Sequence, residues 1–248
     1  QGAVGLALSH APMLALTRAY CGELRQAMAD CELAIAESRE LGDPRSELLS
    51  LDTGSTVAVY CGDYARVPGY AERGLALARQ LGARRFEAEL MAQLGHALAE
   101  QGGGADAQVL LRQASALALE VASSYCAPWC LGIQALFTPN ADRARELLVQ
   151  GEALLARGCV SHNHLEFRRL AIEFSLRHGD FREARRHAAA LTHYTRGEPL
   201  TWSELVVRRA EWLADRAEDP ARADLESRRA ALIADIEAAD FVWLRRGL

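Results

Sequence analysis

This sequence contains no lysine, so all 28 of its permanently positive side chains are arginines. Without lysine, the chain cannot form a phosphate-binding loop of the Gly-x-x-x-x-Gly-Lys-Ser/Thr type. The formal net charge is −5, and acidic residues lie near arginine pairs such as Arg168-Arg169 and Arg208-Arg209. Because nucleic-acid binding depends on a surplus of positive charge, we expect no nucleic-acid partner. The arginine pairs are expected to lie on solvated, ion-paired helix faces.

Aromatic residues, prolines and long apolar runs are also scarce. Aromatic side chains make up 6% of the chain and there are 7 prolines, whereas alanine and leucine dominate. This composition favours helices over a β-sandwich. The most apolar stretch, from Gly2 to Leu16, is interrupted by Ser9, His10 and Pro12. It is too short for a bilayer span and does not resemble a signal peptide, so we expect a cytoplasmic protein without a membrane partner.

The 6 cysteines lack the close spacing of a small disulfide-rich scaffold. A chain of 248 residues is also long enough to bury a core without disulfides. We therefore expect free thiols in a reducing cytoplasm. The chain begins with Gln1, and an apolar segment without a capping signal follows at once. This start suggests a C-terminal fragment of a larger multidomain protein.

Two series of turn signals recur at the same interval. Gly22, Gly62 and Gly102 are 40 residues apart, and so are Gly42 and Gly82. A fixed period of this length is typical of helical repeats, in which each period forms two helices. We therefore predict an all-α fold, a tetratricopeptide-like α-α superhelix (a solenoid) of about six antiparallel helix pairs. It would form a single domain over residues 1–248, and HEAT-like pairs are the structural alternative.

Between the turns, apolar residues recur at steps of three and four, as in amphipathic helices. Asp63 is expected to cap one helix, which Gly82 would end. Gly95 is expected where two helices approach closely. The first helices of the pairs are predicted near 11–21, 44–60, 84–100, 128–137, 162–177 and 202–216. The second helices are predicted near 23–41, 64–81, 105–121, 141–157, 181–194 and 220–238.

The sequence contains no nucleophile elbow, no His-Glu-x-x-His pair and no dinucleotide-binding fingerprint. We accordingly expect no enzymatic activity and no cofactor. One alternative is a metal- or thiol-dependent site, since cysteine and histidine are the usual zinc ligands. Its candidate residues are Cys126, Cys130, Cys159, His162 and His164. The simpler interpretation is two helix starts with small buried cysteines, so no metal site is predicted.

Candidate binding residues lie in three segments that read as helix starts. Trp202 could face a groove, although tryptophan is also common at interfaces between repeats. Near residue 162, Ser161 or Asn163 is expected to cap a helix, with Glu166 closing a capping box from Asn163. The candidate binding residues are Trp129, His162, Asn163, His164 and Trp202.

The stretch from Gly158 to Glu173, GCVSHNHLEFRRLAIE, resembles the C-terminal repeat region of large bacterial signalling proteins. Those proteins join a class III adenylate/guanylate cyclase domain, an AAA-type ATPase domain and a tetratricopeptide tail. The stretches 125–132 and 178–191 are similar to the same tail, as is 198–205. The resemblance covers most of the chain from about Gly74 onward, and it implies ATPase or cyclase domains upstream in the same protein.

Two residues depart from that resemblance. Glu166 and Arg168 stand where larger aromatic residues are expected. The leading hypothesis is a non-catalytic regulatory module that binds a protein partner or a small ligand in its concave groove. Binding would bias an upstream ATPase or cyclase domain. The alternatives are the metal- or thiol-dependent site and a structural scaffold that holds a homo-oligomer together.

Overall fold

The computed structural model describes residues 2–248, with side chains from His10 onward. Within these residues the fold is all-α, with twelve α-helices, a short 3-10 helix at Val242–Arg245 and no strand. No helix in this part of the chain is both long and apolar enough to cross a membrane. The α-helices are α1 (Gly2–Cys21), α2 (Leu24–Glu40), α3 (Pro44–Cys61), α4 (Val67–Leu81), α5 (Arg84–Glu100), α6 (Gly104–Val121), α7 (Ala127–Phe137), α8 (Ala141–Ala156), α9 (Ser161–Arg177), α10 (Phe181–Thr195), α11 (Thr201–Glu218) and α12 (Leu225–Ala238).

The predicted helices agree with the observed ones to within a few residues, except at three helix starts. The helix α1 extends back to Gly2, with Pro12 inside it. Asp63 does not cap α4, because the helix begins only at Val67, after a turn in which Arg66 N donates to the Asp63 carbonyl (3.2 Å). The start of α12 is delayed to Leu225, because Asp219 closes a turn with the backbone NH of Ala221.

The period of 40 residues has a conformational cause. Gly22, Gly42, Gly62, Gly82 and Gly102 all have a positive φ, between 63° and 90°. Side chains other than glycine are strained in this left-handed region, which ends helices in a reversal of the chain. The two glycine series therefore mark real helix ends, and Gly82 ends α4 as expected.

The odd-numbered helices form the interior of the fold. Each contacts the next in sequence order, from α1 through α3, α5, α7 and α9 to α11. The helix α11 also contacts α1, so this circuit of contacts is closed. The even-numbered helices pack mainly against elements adjacent to them in the sequence, with side-chain contacts such as Tyr70 of α4 to Glu32 of α2 (3.3 Å) between successive pairs. The first helix of each pair therefore faces the inside and the second lies outside.

Gly95 lies at the closest approach of α5 and α6. A Cβ atom placed on Gly95 would be 2.8 Å from Leu111 Cδ2 and 2.9 Å from Leu111 Cγ. Both distances are shorter than a van der Waals contact. The expected close approach at this glycine is therefore confirmed.

Substituting Gly95→Leu is expected to lower the free energy of unfolding by about 1–3 kcal/mol, because the new side chain separates α5 from α6. Gly69→Leu on α4 is the matched control, since no atom lies within 4 Å of a Cβ at Gly69. Urea unfolding of both variants measures the difference. Equal stability of the Gly95→Leu protein and its parent would contradict the assigned packing.

Candidate functional site

The middle of the interior is filled by aromatic rings from three helices. Tyr20 of α1, Tyr60 of α3 and Trp202 of α11 form a triangle with ring centroids 5.6, 5.7 and 5.8 Å apart. Trp202 is fully buried. The Trp202 side chain therefore packs against α1 and α3 in the interior and is not accessible to a ligand.

A buried ion pair lies against this aromatic triangle. Arg169 donates to Glu166 Oε2 through Nε (3.1 Å) and Nη2 (3.0 Å), and both residues lie on α9. Tyr60 donates its hydroxyl proton to Glu166 from α3. The Arg169 guanidinium also lies 5.3 Å from the ring centroid of Trp243. This set of contacts ties α3, α9 and the 3-10 helix together.

The residues after α12 fill one end of the interior. Arg209 of α11 donates through Nε (3.1 Å) and Nη2 (2.8 Å) to the carbonyl of Arg246. Arg246 in turn pairs with Glu100 of α5 at 2.7 Å. The aromatic triangle and this segment thus occupy the middle and one end of the described interior. A cavity lies beside the aromatic triangle, and its lining includes Tyr20, Tyr60 and Glu166.

That cavity has a volume of about 90 Å³ and lies between α1, α3, α5, α7 and α9. Apolar and aromatic side chains form part of its wall, with a small set of polar groups that converge on the space. This combination is typical of small-molecule sites. The aromatic lining includes Phe86, Tyr125 and Trp129, and the polar lining includes Asp52, Arg85, Glu89, Gln93 and His162.

Two carboxyl groups meet at the wall of the cavity. Asp52 comes from α3 and Glu89 from α5, and each carboxyl group perturbs the pKa of the other. Burial raises the pKa of Asp52 to about 6. Burial, and then the charge of Asp52, raise the pKa of Glu89 well above its usual value. Two carboxylates this close do not both ionise readily, so the pair retains a shared proton near neutral pH.

Two oxygen atoms at the cavity lack a hydrogen-bond donor among the described residues. They are Glu89 Oε1 and Gln93 Oε1. The Gln93 amide is oriented by its other end, since Nε2 donates to Asp52 Oδ1 and Thr56 Oγ1, both at 3.1 Å. Arg85 Nη1 lies 3.5 Å from Glu89 Oε1, too far for a good hydrogen bond. An unpaired buried acceptor costs about 1–3 kcal/mol, so these atoms mark where a donor is missing.

His162 and Asn163 lie at the start of α9 and have different roles. His162 lines the cavity and packs edge-on against Tyr125, with ring centroids 5.1 Å apart. Burial lowers the pKa of His162 to about 4, so the ring is neutral at pH 7. Asn163 is fully buried, and its Oδ1 accepts from Trp129 N at 3.3 Å while its Nδ2 donates to the carbonyl of Tyr125.

The expected capping box at α9 is wrong. The helix begins at Ser161 after Val160, and no side chain caps it. The side chain of Asn163 instead ties α9 to the start of α7 and thereby positions Trp129. Glu166 accepts from Arg169 and does not reach back to the helix start. Tertiary contacts between repeats compete with a local cap for these side chains, and here the tertiary contacts prevail.

The proposed metal or thiol ligands do not converge. His164 stacks on Tyr194 at 4.3 Å between ring centroids, and Cys159 Sγ lies 3.4 Å from the carbonyl of Leu154. A hydrogen bond with Cys130, followed by burial, raises the pKa of Cys126 far above its usual value. No group of three or more cysteine, histidine, aspartate or glutamate side chains in the described part of the chain is placed to hold a metal ion.

Of the five candidate binding residues, Trp129 and His162 line the cavity, and Asn163 supports it. His164 and Trp202 do not line it. The sequence reasoning missed Asp52, Glu89 and Gln93. One signal was available, because Asp52 and Gln93 lie 41 positions apart, close to the 40-residue period, on successive first helices.

The site therefore defines this chain as an all-helical protein with a polar cavity between its inner helices. A scan against models of known protein families gives no match, and a search of curated proteins gives no significant match.

The Asp52–Glu89 pair predicts a distinctive pH dependence of stability. The folded pKa values are raised, so the fold keeps a proton that the unfolded chain has released above about pH 4. The contribution of the pair is thus greatest below the unfolded pKa values; the part from Asp52 is lost as pH rises through about 6, and the part from Glu89 is lost at higher pH. Between pH 4 and pH 8 we expect the parent to lose more than about 1.4 kcal/mol relative to an Asp52→Asn/Glu89→Gln variant.

Urea unfolding of both proteins at several pH values measures this difference. The variant keeps every other titrating group, including the neutral His162, so subtraction isolates the carboxyl pair. Parallel stability curves for the two proteins would contradict the shared proton.

Proposed function

We propose that this chain is a tetratricopeptide-like repeat module that binds a small ligand, or a short segment of a partner, in the cavity between its inner helices. Six helix pairs that pack in sequence order support the repeat assignment. The observation that carries the binding proposal is the pair of donor-less oxygens, Glu89 Oε1 and Gln93 Oε1, at the cavity wall. The role is regulatory and non-catalytic, with occupancy of the cavity biasing domains joined to this one.

We infer further that the parent is a cytoplasmic bacterial signalling protein with an upstream cyclase or ATPase domain. The resemblance to the tails of such proteins supports this inference. Two of the stretches that carry it, 125–132 and 158–173, supply Tyr125, Trp129 and His162 to the cavity wall. The similarity therefore includes the part of the fold that we assign to ligand binding.

Native mass spectrometry of the untagged, gently purified chain tests the binding proposal. We expect a bound small molecule on the parent that is lost from a Thr56→Met variant, because Thr56 lines the cavity and methionine fills it. Thr17→Met is the matched control, since Thr17 is exposed. Equal occupancy in both variants, or the absence of any ligand from the parent, would contradict binding in this cavity.

An activity assay tests the non-catalytic assignment separately. The purified chain is expected neither to hydrolyse nor to cyclise ATP above the rate of a buffer blank. A rate that scales with protein concentration and survives further purification would overturn this part of the proposal.

A further inference from the structure

The chemistry of the cavity wall indicates the class of ligand, an inference that rests on the binding function proposed above. We propose that the cavity binds a small nitrogen cation of the amine or amidine class, whose N–H groups donate to Glu89 Oε1 and Gln93 Oε1.

Both cavity-wall atoms that lack a hydrogen bond from the described residues, Glu89 Oε1 and Gln93 Oε1, are acceptors. Glu89 is 5% exposed and Gln93 is 2% exposed, and both line the cavity. The amide NH₂ of Gln93 is already used by Asp52 and Thr56, which leaves its oxygen free for the cavity. A ligand that satisfies these two oxygen atoms must donate two hydrogens, either from two separate donor groups or from one NH₂ group. Carboxylates and phosphates offer no donors and would meet the charge of Glu89.

The charged groups around the Asp52–Glu89 pair can be brought to a net charge of zero by one added cation when the pair is fully ionised. Arg85 faces Glu89 from the same helix, Asp52 faces it from α3, and Cys126 faces it from the residue before α7. His162 from α9 is neutral, and the charge of Glu166 is balanced by Arg169. With its shared proton, the Asp52–Glu89 pair carries one negative charge, which Arg85 offsets. A cation that binds to the ionised pair therefore replaces the shared proton, which leaves to solvent.

The walls and the volume limit the size of the ligand. Tyr125 and Trp129 line the space, and aromatic rings attract cations. The Arg85 guanidinium already uses this property, since it lies 3.9 Å from the ring centroid of Tyr125 and 4.1 Å from that of Phe86. A cavity of about 150 Å³ holds the six carbons of benzene. At about 90 Å³, this cavity holds a group of roughly four heavy atoms.

Three nearly isosteric probes separate charge and donor count from shape. Acetamidinium is a cation with N–H donors, acetamide is its neutral counterpart with fewer donors, and acetate is an anion without donors. Each has four heavy atoms. Binding to the complete chain is followed by the indole N–H signal of Trp129 in ¹H–¹⁵N spectra, assigned with a Trp129→Phe variant. Trp212 is the internal control, because its Nε1 donates to the carbonyl of Leu225 away from the cavity.

Acetamidinium is expected to shift the Trp129 signal with a Kd between roughly 40 µM and 10 mM, the range open to a ligand of about four heavy atoms. Its affinity should rise with pH, by up to about tenfold per pH unit while the pair still holds its proton. Calorimetry in buffers of different ionisation enthalpy should show the release of up to one proton. Acetamide and acetate should bind at least tenfold more weakly.

The variant Glu89→Gln keeps the shape of the protonated side chain and removes its charge. It should weaken acetamidinium binding at least tenfold and abolish the pH dependence. Glu72→Gln is the matched control on the exposed surface of α4, and it should bind acetamidinium as the parent does. If Glu89→Gln does not fold, the selectivity of the parent among the three probes still decides the question.

The outcomes distinguish the ligand class from the binding function. Tighter binding of acetamide or acetate than of acetamidinium would overturn the cation inference and leave the cavity as a binding site. A shift with acetamidinium that does not depend on pH would overturn the exchange for a proton, and with it the charge argument. No shift of Trp129 with any of the probes at 50 mM would contradict both the ligand class and the binding function, because the two oxygens would then be satisfied by water alone.

Discussion

Replacing Arg169 with methionine is expected to lower the free energy of unfolding by about 3–5 kcal/mol, the cost of breaking a buried ion pair by removing one partner. Arg169 is 4% exposed and Glu166 is 5% exposed. Without Arg169, the Glu166 carboxylate stays in the interior with only the hydroxyl proton of Tyr60 to stabilise it. Urea or thermal unfolding of the variant measures the loss.

A second substitution should restore most of that stability. The Glu166→Gln/Arg169→Met variant removes the unbalanced charge and leaves a neutral side chain for Tyr60. Arg143→Met is the control for loss of an exposed arginine, because the Arg143–Glu146 pair is largely in solvent and should contribute less than about 1 kcal/mol. If Arg169→Met costs no more than Arg143→Met, the buried Glu166 carboxylate does not depend on Arg169 for its stability, as the contacts indicate that it does.

Replacing Leu111 with alanine is expected to cost about 2–5 kcal/mol of unfolding free energy. Leu111 is fully buried on α6, and its side chain lies directly over Gly95 of α5. The substitution leaves a void that the facing helix cannot fill, because glycine has no side chain to move into it. Leu75 on α4 is 6% exposed, and its replacement by alanine should fall in the same range.

The matched control for Leu111→Ala is Leu33→Ala on α2, where the side chain is 58% exposed. The same atoms are removed, but little packing is lost, so the expected change is within about 0.5 kcal/mol. Chemical unfolding of the variants under one set of conditions gives the comparison. Equal effects of Leu33→Ala and Leu111→Ala would show that α6 does not pack on α5 as assigned.

Helix positions were predictable from the sequence because their causes are local. Glycines with a positive φ, such as Gly62 and Gly82, end helices wherever they occur, and apolar spacing needs only the residues of one helix. The errors arose where a side chain had a choice of partners. The Asp63 carboxylate pairs with Arg66 at 3.3 Å and Asn163 binds the start of α7, although the sequence offers both as helix caps.

The cavity was only partly predictable. Trp129 and His162 were identified because they lie in unusual stretches at helix starts. Asp52, Glu89 and Gln93 lie on inner faces of long helices, where single polar residues are hard to distinguish from ordinary variation in a pattern. Their importance depends on the contact between α3 and α5, which brings Asp52 close to Glu89 and Gln93.

Local sequence thus determined the all-helical class, the forty-residue period and the order of the helix pairs, because propensity, glycine turns and apolar spacing act over a few residues. Tertiary structure decided what the pairs enclose. The contact of α11 with α1, the burial of Trp202 and the insertion of the last residues beside Glu100 bring together segments up to two hundred positions apart. Burial at those contacts, and the pKa shifts that follow from burial, depend on neighbours that no local pattern specifies.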